Sequence, residues 1–502
     1  MQVPRRGALK ALGAMVGHRL PAVLGVAGSL GTAAGLLGCA ADRSSNDGAT
    51  TAASWPGEVR ATWLTTTANR ALATPANTES TMRQLRGIGL NTVYVECWKN
   101  GYTQFPSEVL RRTIGVAQRP AGALQDPSEV PSAALARDLL EETLIEAHRQ
   151  GLVHIAWFEY GFMAAHGQTH NHLRRLKPEW ISRDRQGREV APNGFVWMNP
   201  LREEARQFLL DLTLEAIAQY DLDGVQFDDR IIWPYITMGY DEHTRAVYAS
   251  EHGGRQPPDD HQDPAWVRWR ANKLNTLAAE FTGRLRQALP GRVLSLSPAV
   301  YPWSWEHYLL DWPSWARWPA DRRWTEQVPQ AYRLSLEAFE STWLQQVQAL
   351  QEARAYRPRE LVAGIRIVGE GRDSTWAQLQ GSIELTRRLG QGGHALWFSR
   401  GVLELYAAEL AAYYSGFQPS PRFPPGWRRP SIALSSTGHS AQGVEWTLPR
   451  RSPDRYRLIG HDGQRWRYLE VPVASSSQAV HLDAKWRRVE LLVDRRGQRP
   501  AA

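Results

Sequence analysis

The sequence predicts an α/β protein, in which a (β/α)8 TIM barrel is followed by a small C-terminal antiparallel β domain. Three observations lead to this fold class. Eight apolar segments of strand length alternate with amphipathic helical segments, no glycine-rich phosphate loop follows the first strand, and the pattern changes after Tyr414. Strands that alternate with helices pair in parallel, and eight such units close a barrel. A doubly wound open sheet is the main alternative, and the missing phosphate loop counts against it.

The predicted strands follow one another within a barrel domain at residues 57–415. They lie at 58–66, 91–98, 153–162, 223–230, 293–300, 326–332, 361–368 and 394–399. A helix is predicted between nearly every pair of strands. In the first of these helices Met82, Leu85 and Ile88 recur at helical spacing, and glycines mark its end.

The sequence pattern changes in the C-terminal part of the chain. A proline-rich linker is predicted at 416–430, and a second domain at 431–496. In that domain short alternating segments such as GVEWTLP, RYRLIGHDG and RRVELLVD are separated by turn residues, which is typical of a sandwich-like antiparallel β domain. The domain either binds glycan or covers one end of the barrel, and the sequence leaves both alternatives open.

The N-terminus predicts export. The basic start MQVPRRGALK precedes a small apolar stretch that closes in the lipobox-like LLGC, so residues 1–38 read as a lipoprotein signal peptide. Cys39 is then the lipid attachment point, and 39–56 form a flexible tether. An uncleaved membrane anchor is the alternative, and the RR pair also resembles a twin-arginine export signal. We expect a membrane-anchored lipoprotein facing the periplasm or cell envelope, and Ala40 favours the outer membrane.

Composition excludes some classes of protein. The 502 residues are 42% hydrophobic and 22% charged, as in ordinary globular chains. The net charge of +8 favours polyanionic surroundings, but the arginines are scattered, so no nucleic-acid partner is expected. Once Cys39 carries lipid, only Cys97 remains and no internal disulfide is possible. The sequence indicates no oligomeric state.

The segment DLDGVQFDDR ends an apolar strand in a cluster of charge. Side chains alternate along a strand, so Gln226 and Asp228 share one face, and Asp228 points into the barrel mouth with Asp229 beginning the loop. The same alternation places Glu159 at the mouth end of the third strand. Hydrolysis of a glycosidic bond needs such a carboxylate pair. The alternative is a structural ion pair of the aspartates with Arg230.

No motif demands a metal or another cofactor. Aspartate pairs are metal ligands in many proteins, but no histidine-rich partner set with metal spacing accompanies these. The closest candidate is HGQTHNH at 166–172, which we interpret as a solvated loop.

Tryptophan is unusually frequent, with 22 residues. Flat rings stack on the apolar faces of sugars, and many of these residues lie at strand ends or in loops: Trp63, Trp98, Trp157, Trp197, Trp233 and the five within 301–318. The alternative is that they pack the barrel mouth, because tryptophan is first a large hydrophobic side chain.

Several segments together resemble the glycosyl-hydrolase-like family 10. They include EVRATWLTT, GLNTVYVECWKNGYTQFPSEV, WFEYGFMA, WMNPLREEARQFLLDLTLEAI, YDLDGVQFDDR, GYDEHTRAVYASEHGG and DPAWVRWRANKLN. The resemblance implies a (β/α)8 barrel and a cell-envelope glycoside hydrolase that acts on peptidoglycan glycan strands stripped of their peptides. Glu96, Cys97 and Arg230 depart from the family pattern.

The resemblance also implies the site residues, with the exception of Arg230 and Tyr332, which lie at predicted strand ends. The predicted substrate-binding residues are Arg60, Trp63, Trp98, Tyr102, Trp157, Trp197, Asn199, Gln226, Arg230 and Tyr332. The predicted catalytic residues are Asp228, Glu159 and Asp229. Asp228 also matches the strand-ending aspartate of amylase-like barrels, so it is the expected nucleophile or charge stabiliser. Glu159, beside apolar rings, is the expected general acid, with Glu370 in reserve. The alternatives are a lipid-anchored glycan-binding protein without activity and a hydrolase of another polysaccharide.

Overall fold

A computed structural model describes residues 58–120, 137–415, 431–436, 441–447, 455–469, 479–483 and 485–494. The predicted signal peptide, the lipidation site Cys39, the tether and the linker 416–430 lie outside these residues. Among the described residues, no helix is both long enough and apolar enough to cross a membrane.

Twelve strands are described up to residue 415. They are β1 (Val59–Leu64), β2 (Thr92–Glu96), β3 (Trp98–Lys99), β4 (Tyr102–Thr103), β5 (Val153–Phe158), β6 (Met163–His166), β7 (Phe195–Trp197), β8 (Gly224–Phe227), β9 (Val293–Leu296), β10 (Glu326–Gln327), β11 (Val362–Arg366) and β12 (Gly393–Trp397).

Helices lie between and around these strands. They are α1 (Pro75–Ile88), α2 (Glu108–Ile114), α3 (Leu139–Gln150), α4 (His172–Leu176), α5 (Glu203–Gln219), α6 (Glu242–Glu251), α7 (Pro264–Ala288), α8 (Trp303–Tyr308), α9 (Trp312–Trp315), α10 (Leu336–Glu352), α11 (Trp376–Arg388) and α12 (Ala407–Ser415). Single 3-10 turns lie at Pro178–Trp180, Ala320–Arg322 and Pro358–Glu360, and a π-helical turn lies at Gly401–Leu405.

Eight of the strands form one parallel sheet in the order β10-β9-β8-β5-β2-β1-β12-β11. Parallel bridges from Gln327 to Leu361 and from Gln330 to Gly364 join the two outer strands, so the sheet returns on itself. All eight predicted strands are present, and the predicted TIM-barrel fold is confirmed. The carboxyl ends of the strands therefore meet at one mouth, where such barrels carry their functional side chains.

Helix α1 shows how the sequence sets its own boundaries. Pro75 occupies the first turn, and the Thr74 side chain caps the helix by accepting a hydrogen bond from a main-chain amide. Gly89 ends the helix in the left-handed conformation, with φ of 106°. The residues predicted to form its inner face, including Met82 and Leu85, are fully buried.

The sixth barrel strand is shorter than predicted. The sequence indicated a strand over 326–332, whereas β10 ends at Gln327. Pro329 has no amide hydrogen to donate to a neighbouring strand, so it interrupts the ladder. The chain resumes parallel contact at Gln330, which lies at the barrel mouth.

Aromatic and polar side chains fill the barrel interior. Trp63 on β1 stacks on Tyr94 of β2, with 5.2 Å between ring centroids. Its Nε1 donates a hydrogen bond to Gln226 Oε1 at 2.8 Å, across the barrel on β8. Gln226 in turn donates to Ser295 Oγ on β9 at 2.9 Å. The interior is thus a packed core crossed by side-chain hydrogen bonds, and not a channel.

The C-terminal strands form two antiparallel sheets, as the sequence predicts. One contains β13 (Ser431–Ser436), β14 (Ala441–Thr447) and β17 (Ala479–Asp483), and the other β15 (Arg455–His461), β16 (Trp466–Tyr468) and β18 (Arg488–Asp494). The second sheet contacts α3 of the barrel. Ile145 packs with Trp466 and Leu492, and Arg149 forms an ion pair with Glu490 at 3.0 Å.

Candidate active site

The ends of β5 and β8 place Glu159 and Asp228 next to each other. The last paired residues of these parallel strands are Phe158 and Phe227. Their rings stack on each other with 5.3 Å between centroids. Glu159 and Asp228 are the next residues of each strand, so they emerge side by side and on the opposite, inward-facing side.

Two local features hold β8 in this position. Phe227 contacts Phe281 of the outer helix α7, with 5.1 Å between ring centroids, as the predicted alternation requires. Gly224 begins the strand, and a Cβ there would lie 2.3 Å from the main-chain oxygen of Val293 on β9. Only glycine allows the two strands to pair this closely.

Arg230 connects the end of β8 with the end of β5. Its Nη1 lies 2.5 Å from Asp228 Oδ2 and 3.8 Å from Asp229 Oδ1. The same nitrogen donates a hydrogen bond to the main-chain oxygen of Glu159 at 2.8 Å. The ion pair expected as the alternative interpretation is therefore present, and it lies within the carboxylate cluster.

Gln330 is a further partner of Asp228 that the sequence analysis missed. Its Nε2 donates hydrogen bonds to Asp228 Oδ1 and to the main-chain oxygen of Ser297, the latter at 3.0 Å. Asp228 thus accepts a hydrogen bond on each carboxylate oxygen. Two donors of this kind stabilise the ionised form.

Burial raises the pKa of all three predicted catalytic carboxyl groups. Burial, reinforced by Asp229 and opposed by Arg230, raises the pKa of Asp228 to about 7. Burial also raises the pKa of Glu159 to about 7, against the nearby charge of Lys99. The pKa of the fully buried Asp229 is raised by burial as well. At neutral pH the cluster therefore retains proton-carrying capacity.

Lys99 is a second residue that the sequence analysis missed. Its Nζ lies 2.9 Å from Glu96 Oε2 and 3.2 Å from Glu159 Oε2. It ends β3, and the two residues that connect β3 to β4 are Asn100 and Gly101, with φ of 51° and 81°. An Asn-Gly pair is the strongest short hairpin signal in a sequence, so this turn was available to be recognised.

An aromatic wall borders the carboxylates. Tyr332 stacks on Trp397 with 5.7 Å between ring centroids, and it meets Trp63 edge to face with 6.4 Å between ring centroids. Trp157 packs against Trp397 from the barrel interior, with 5.9 Å between ring centroids. Burial and the charge of Asp228 raise the pKa of Tyr332. Of the predicted binding residues, Trp63, Trp157, Gln226, Arg230 and Tyr332 are therefore brought together near Asp228.

Arg60 and Asn199 lie elsewhere in the fold. Arg60 is at the amino end of β1, where its Nε contacts Glu58 Oε2 at 2.8 Å and its guanidinium lies over the Tyr414 ring. Asn199 donates hydrogen bonds to the side chains of Asp241 and Thr244 at the start of α6, each at 2.8 Å. These contacts support the scaffold, and the structure does not bring either residue to the carboxylate pair.

The remaining predicted rings lie on the short antiparallel strands β3, β4 and β7, outside the barrel sheet. Trp98 is buried against Phe208 of the outer helix α5. The Tyr102 hydroxyl hydrogen-bonds His172 Nδ1 at 2.7 Å. Trp197 packs against Tyr308 with 6.3 Å between ring centroids. These contacts join the three rings to neighbouring helices and connecting segments.

The reserve acid lies in a loop, and the histidine segment 166–172, predicted as a solvated loop, runs from the end of β6 to the start of α4. Glu370 is exposed in the loop after β11, where its main-chain oxygen accepts a hydrogen bond from Arg366. Among the described residues, no group of three or more His, Cys, Asp or Glu side chains could hold a metal ion. Cys97 is buried beside the main-chain oxygen of Trp157.

The arrangement can perform acid–base chemistry. Asp228 has both oxygens hydrogen-bonded, whereas Glu159 Oε2 accepts no hydrogen bond from the described residues although Lys99 lies nearby. Asp228 is therefore stabilised in its charged form, whereas Glu159 can carry a proton. Two unlike carboxyl groups beside an aromatic wall form a site that can hydrolyse a glycosidic bond.

Comparison with known proteins finds relatives that are named glycosyl hydrolases. It is 24% identical over 261 residues to the glycosyl hydrolase YngK of Bacillus subtilis, over 48% of this chain and 45% of that protein. It is 23% identical over 225 residues to the glycosyl hydrolase DigH of Escherichia coli, over 43% of this chain and 45% of that protein. The chain thus matches less than half the length of each relative.

Solved structures with similar folds include the glycoside hydrolase domain of PgaB (BpsB) from Bordetella bronchiseptica. That likeness has a TM-score of 0.49 and 13% identity, and it covers 67% of this chain and 92% of that domain. The model of the family described as glycosyl hydrolase-like 10 matches residues 58–369, more than half of the chain. The chain belongs to the glycosyl hydrolase-like 10 family.

Proposed function

We propose that the protein is a glycoside hydrolase of the cell envelope that cleaves peptide-free peptidoglycan glycan strands. The observation that carries the activity is the placement of Glu159 and Asp228 at neighbouring strand ends, with Arg230 contacting Asp228 Oδ2 and the main-chain oxygen of Glu159. Hydrolysis of a glycosidic bond requires one carboxyl group to protonate the leaving oxygen and a second to act as nucleophile or base.

The contacts of the two carboxyl groups assign their roles. Arg230 and Gln330 favour an ionised Asp228, which acts as nucleophile or charge stabiliser. Glu159 is buried, and no residue in the described part of the chain donates a hydrogen bond to its Oε2, so we assign it as the general acid. Asp229 is fully buried beside Arg230, and we assign it an electrostatic role in the same site.

The choice of substrate rests on the family resemblance and on one cation at the mouth. Muramic acid in a peptide-free strand carries a carboxylate that a peptide would otherwise mask. Arg366 ends β11 next to Trp397, and its guanidinium donates to two neutral oxygens, those of the Glu370 main chain at 2.7 Å and the Ser374 side chain at 3.5 Å. No described carboxylate lies within ion-pair distance of it, although the charge of Asp373 opposes the lowering of its pKa by burial. This position supports an anionic sugar as its ligand.

The test compares sugars released from purified glycan strands with and without peptides. Asp228→Asn and Glu159→Gln are each expected to abolish the formation of new reducing ends and to leave the protein folded. Glu404→Gln is the matched control, because it removes an exposed carboxylate from the turn after β12, at the same end of the barrel. Full activity of either core variant would contradict the assignment.

The same assay tests the alternatives. A catalytically silent glycan-binding protein would bind strands saturably without forming new chain ends. Release of sugars from starch or cellulose fragments, but not from peptidoglycan glycan, would indicate another polysaccharide. Mass analysis of the products identifies the sugars at the new ends.

We also propose that the chain is exported and anchored through lipid on Cys39, in the outer membrane where the source has one. Cys39→Ser is expected to abolish incorporation of labelled fatty acid and to release the protein from membranes. Retention of the unlabelled variant in membranes would favour the uncleaved anchor instead.

A further inference from the structure

A second charged pair lies directly beside the candidate general acid. Glu96 is the last residue of β2, and it pairs in register with Trp157 of β5, two residues before Glu159. Lys99 Nζ lies between the two glutamates, 2.9 Å from Glu96 and 3.2 Å from Glu159. Charges of opposite sign therefore alternate along the mouth.

The position of Lys99 is fixed by the backbone and by its neighbours. The Asn100–Gly101 turn returns the chain immediately after Lys99, and a Cβ on Gly101 would lie 2.5 Å from the side-chain nitrogen of Asn171. Lys99 Nζ also donates a hydrogen bond to Thr67 Oγ1 at 3.1 Å. With 5% of its surface exposed, the ammonium group has little freedom to leave.

Glu96 is held as an anion. Its Oε2 accepts a hydrogen bond from the Thr66 main-chain amide at 3.2 Å, and its Oε1 accepts one from the Thr66 hydroxyl. Arg119 Nη1 approaches the same hydroxyl at 3.2 Å. Burial opposes ionisation, but Lys99, Thr66 and Arg119 together lower the pKa of Glu96.

From this geometry we propose that Lys99 is a positioning residue that sets the ionisation of Glu159, and that Glu96 fixes Lys99 and balances its charge. The inference rests on the proposed function for the use made of the Glu159 proton. A bare ammonium group at 3.2 Å would favour the carboxylate form. Glu96 weakens this effect, which allows Glu159 to remain a proton donor near neutral pH.

Other charged groups also face Glu159, and the test must separate them. They come from the hairpin, from the end of β2, from the loop after β8 and from the adjacent residue: Lys99, Glu96, Arg230, Asp228, Asp229 and Tyr160. Only the first two form the proposed pair, and they carry opposite charges. Removing the charge of Lys99 and removing the charge of Glu96 must therefore shift the pKa of Glu159 in opposite directions.

The experiment measures the ionisation of Glu159 directly. Protein labelled with carboxyl ¹³C-glutamate is titrated by NMR, and Glu159→Gln assigns the resonance by its disappearance. Lys99→Met is expected to raise the pKa of Glu159 by about one unit or more, and Glu96→Gln to lower it by a similar amount. Lys99→Arg keeps the charge and is expected to restore most of the original value.

The matched control is an exposed pair of the same type. Lys273 Nζ lies 2.5 Å from Glu251 Oε1 on the outer helices. Lys273→Met and Glu251→Gln are expected to leave the Glu159 titration unchanged. If Lys99→Met does not fold, the direction of the Glu159 pKa shift in Glu96→Gln still tests the proposal. An unchanged Glu159 titration in Glu96→Gln, or shifts of the same sign in both core variants, would overturn the proposal.

This readout does not depend on substrate. Suppose that the protein releases no sugar, but Lys99→Met raises the pKa of Glu159 and Glu96→Gln lowers it. This result would refute the proposed activity and retain the inference about Lys99. In an active protein, the upper limb of the kcat/KM profile reports the general acid. That limb is expected to move to higher pH in Lys99→Met and to lower pH in Glu96→Gln.

Discussion

Gln330 reaches Asp228 from two strands away. Its side-chain amide donates to Asp228 Oδ1 and to the main-chain oxygen of Ser297, so it bridges the loops that follow β8 and β9. Arg230 holds the other carboxylate oxygen of Asp228 from the opposite side. Asp228 is therefore oriented by two donors that belong to different parts of the barrel.

Gln330→Ala is expected to lower kcat by about 10- to 100-fold, because a hydrogen bond to a charged group contributes about 1.5–3 kcal/mol. The measurement is the initial rate of reducing-end formation at saturating glycan. Gln348→Ala removes an exposed glutamine side chain from α10 and is expected to have no effect. An unchanged kcat in Gln330→Ala would show that Arg230 alone orients Asp228.

The raised pKa of Glu159 predicts how stability depends on pH. Burial, which outweighs the opposing charge of Lys99, raises this pKa from 4.5 to about 7, so the folded protein binds more protons than the unfolded chain between those values. The stabilisation is complete below about pH 4.5 and is lost as the pH rises through 7. Glu159→Gln has no carboxyl group at this position, so it does not lose stability in this way as the pH rises. Its free energy of unfolding relative to the wild type should rise by about 1–3 kcal/mol between pH 4.5 and 8.5.

Urea unfolding at the two pH values checks this. Glu370→Gln serves as the control, since an exposed glutamate should show little difference between the two pH values. A constant difference between Glu159→Gln and the wild type would mean that Glu159 is ionised throughout this range in the folded protein.

The strand pattern was sufficient to predict the barrel and the positions of Asp228 and Glu159. Period-two alternation and the rule that parallel strands end at one mouth fix both side chains without knowledge of their contacts. Gln330 was missed because it follows Pro329, where the strand pattern is interrupted. Lys99 was missed because its hairpin signal follows a strand that already accounted for the local sequence.

Arg60 illustrates a different difficulty. The family resemblance predicted a binding residue, but the amino end of a barrel strand lies away from the mouth, and the contacts there are with Glu58 and Tyr414. A motif can reflect the stability of the scaffold as well as the site. Strand direction, which the sequence already indicated, distinguishes the two.

The Trp63–Gln226 hydrogen bond predicts a measurable cost in the core. Trp63→Phe keeps an aromatic ring but leaves Gln226 Oε1 without its donor, inside a fully packed interior. We expect a loss of about 1–3 kcal/mol in the free energy of unfolding, measured by urea denaturation. Trp376→Phe, on the half-buried surface of α11, is the control and should cost less. Equal costs would mean that Gln226 finds another partner.

Arg366 predicts how the enzyme distinguishes acidic from neutral sugars. If it binds the carboxylate of muramic acid, the wild type should prefer native peptide-free strands over strands whose carboxylates have been reduced to alcohols. Arg366→Gln is expected to raise KM for native strands about tenfold and to change KM for reduced strands little, because only the native strand loses a charge-assisted hydrogen bond.

Arg388→Gln controls for the loss of one positive charge, since Arg388 is an exposed residue of α11. Its preference for native strands should match that of the wild type. If the wild type cleaves native and reduced strands equally well, Arg366 does not recognise a substrate carboxylate, and its charge serves the loop that follows β11. Hydrolysis without this preference would leave the roles of Asp228 and Glu159 intact, because those roles depend on the glycosidic bond and not on the substituent.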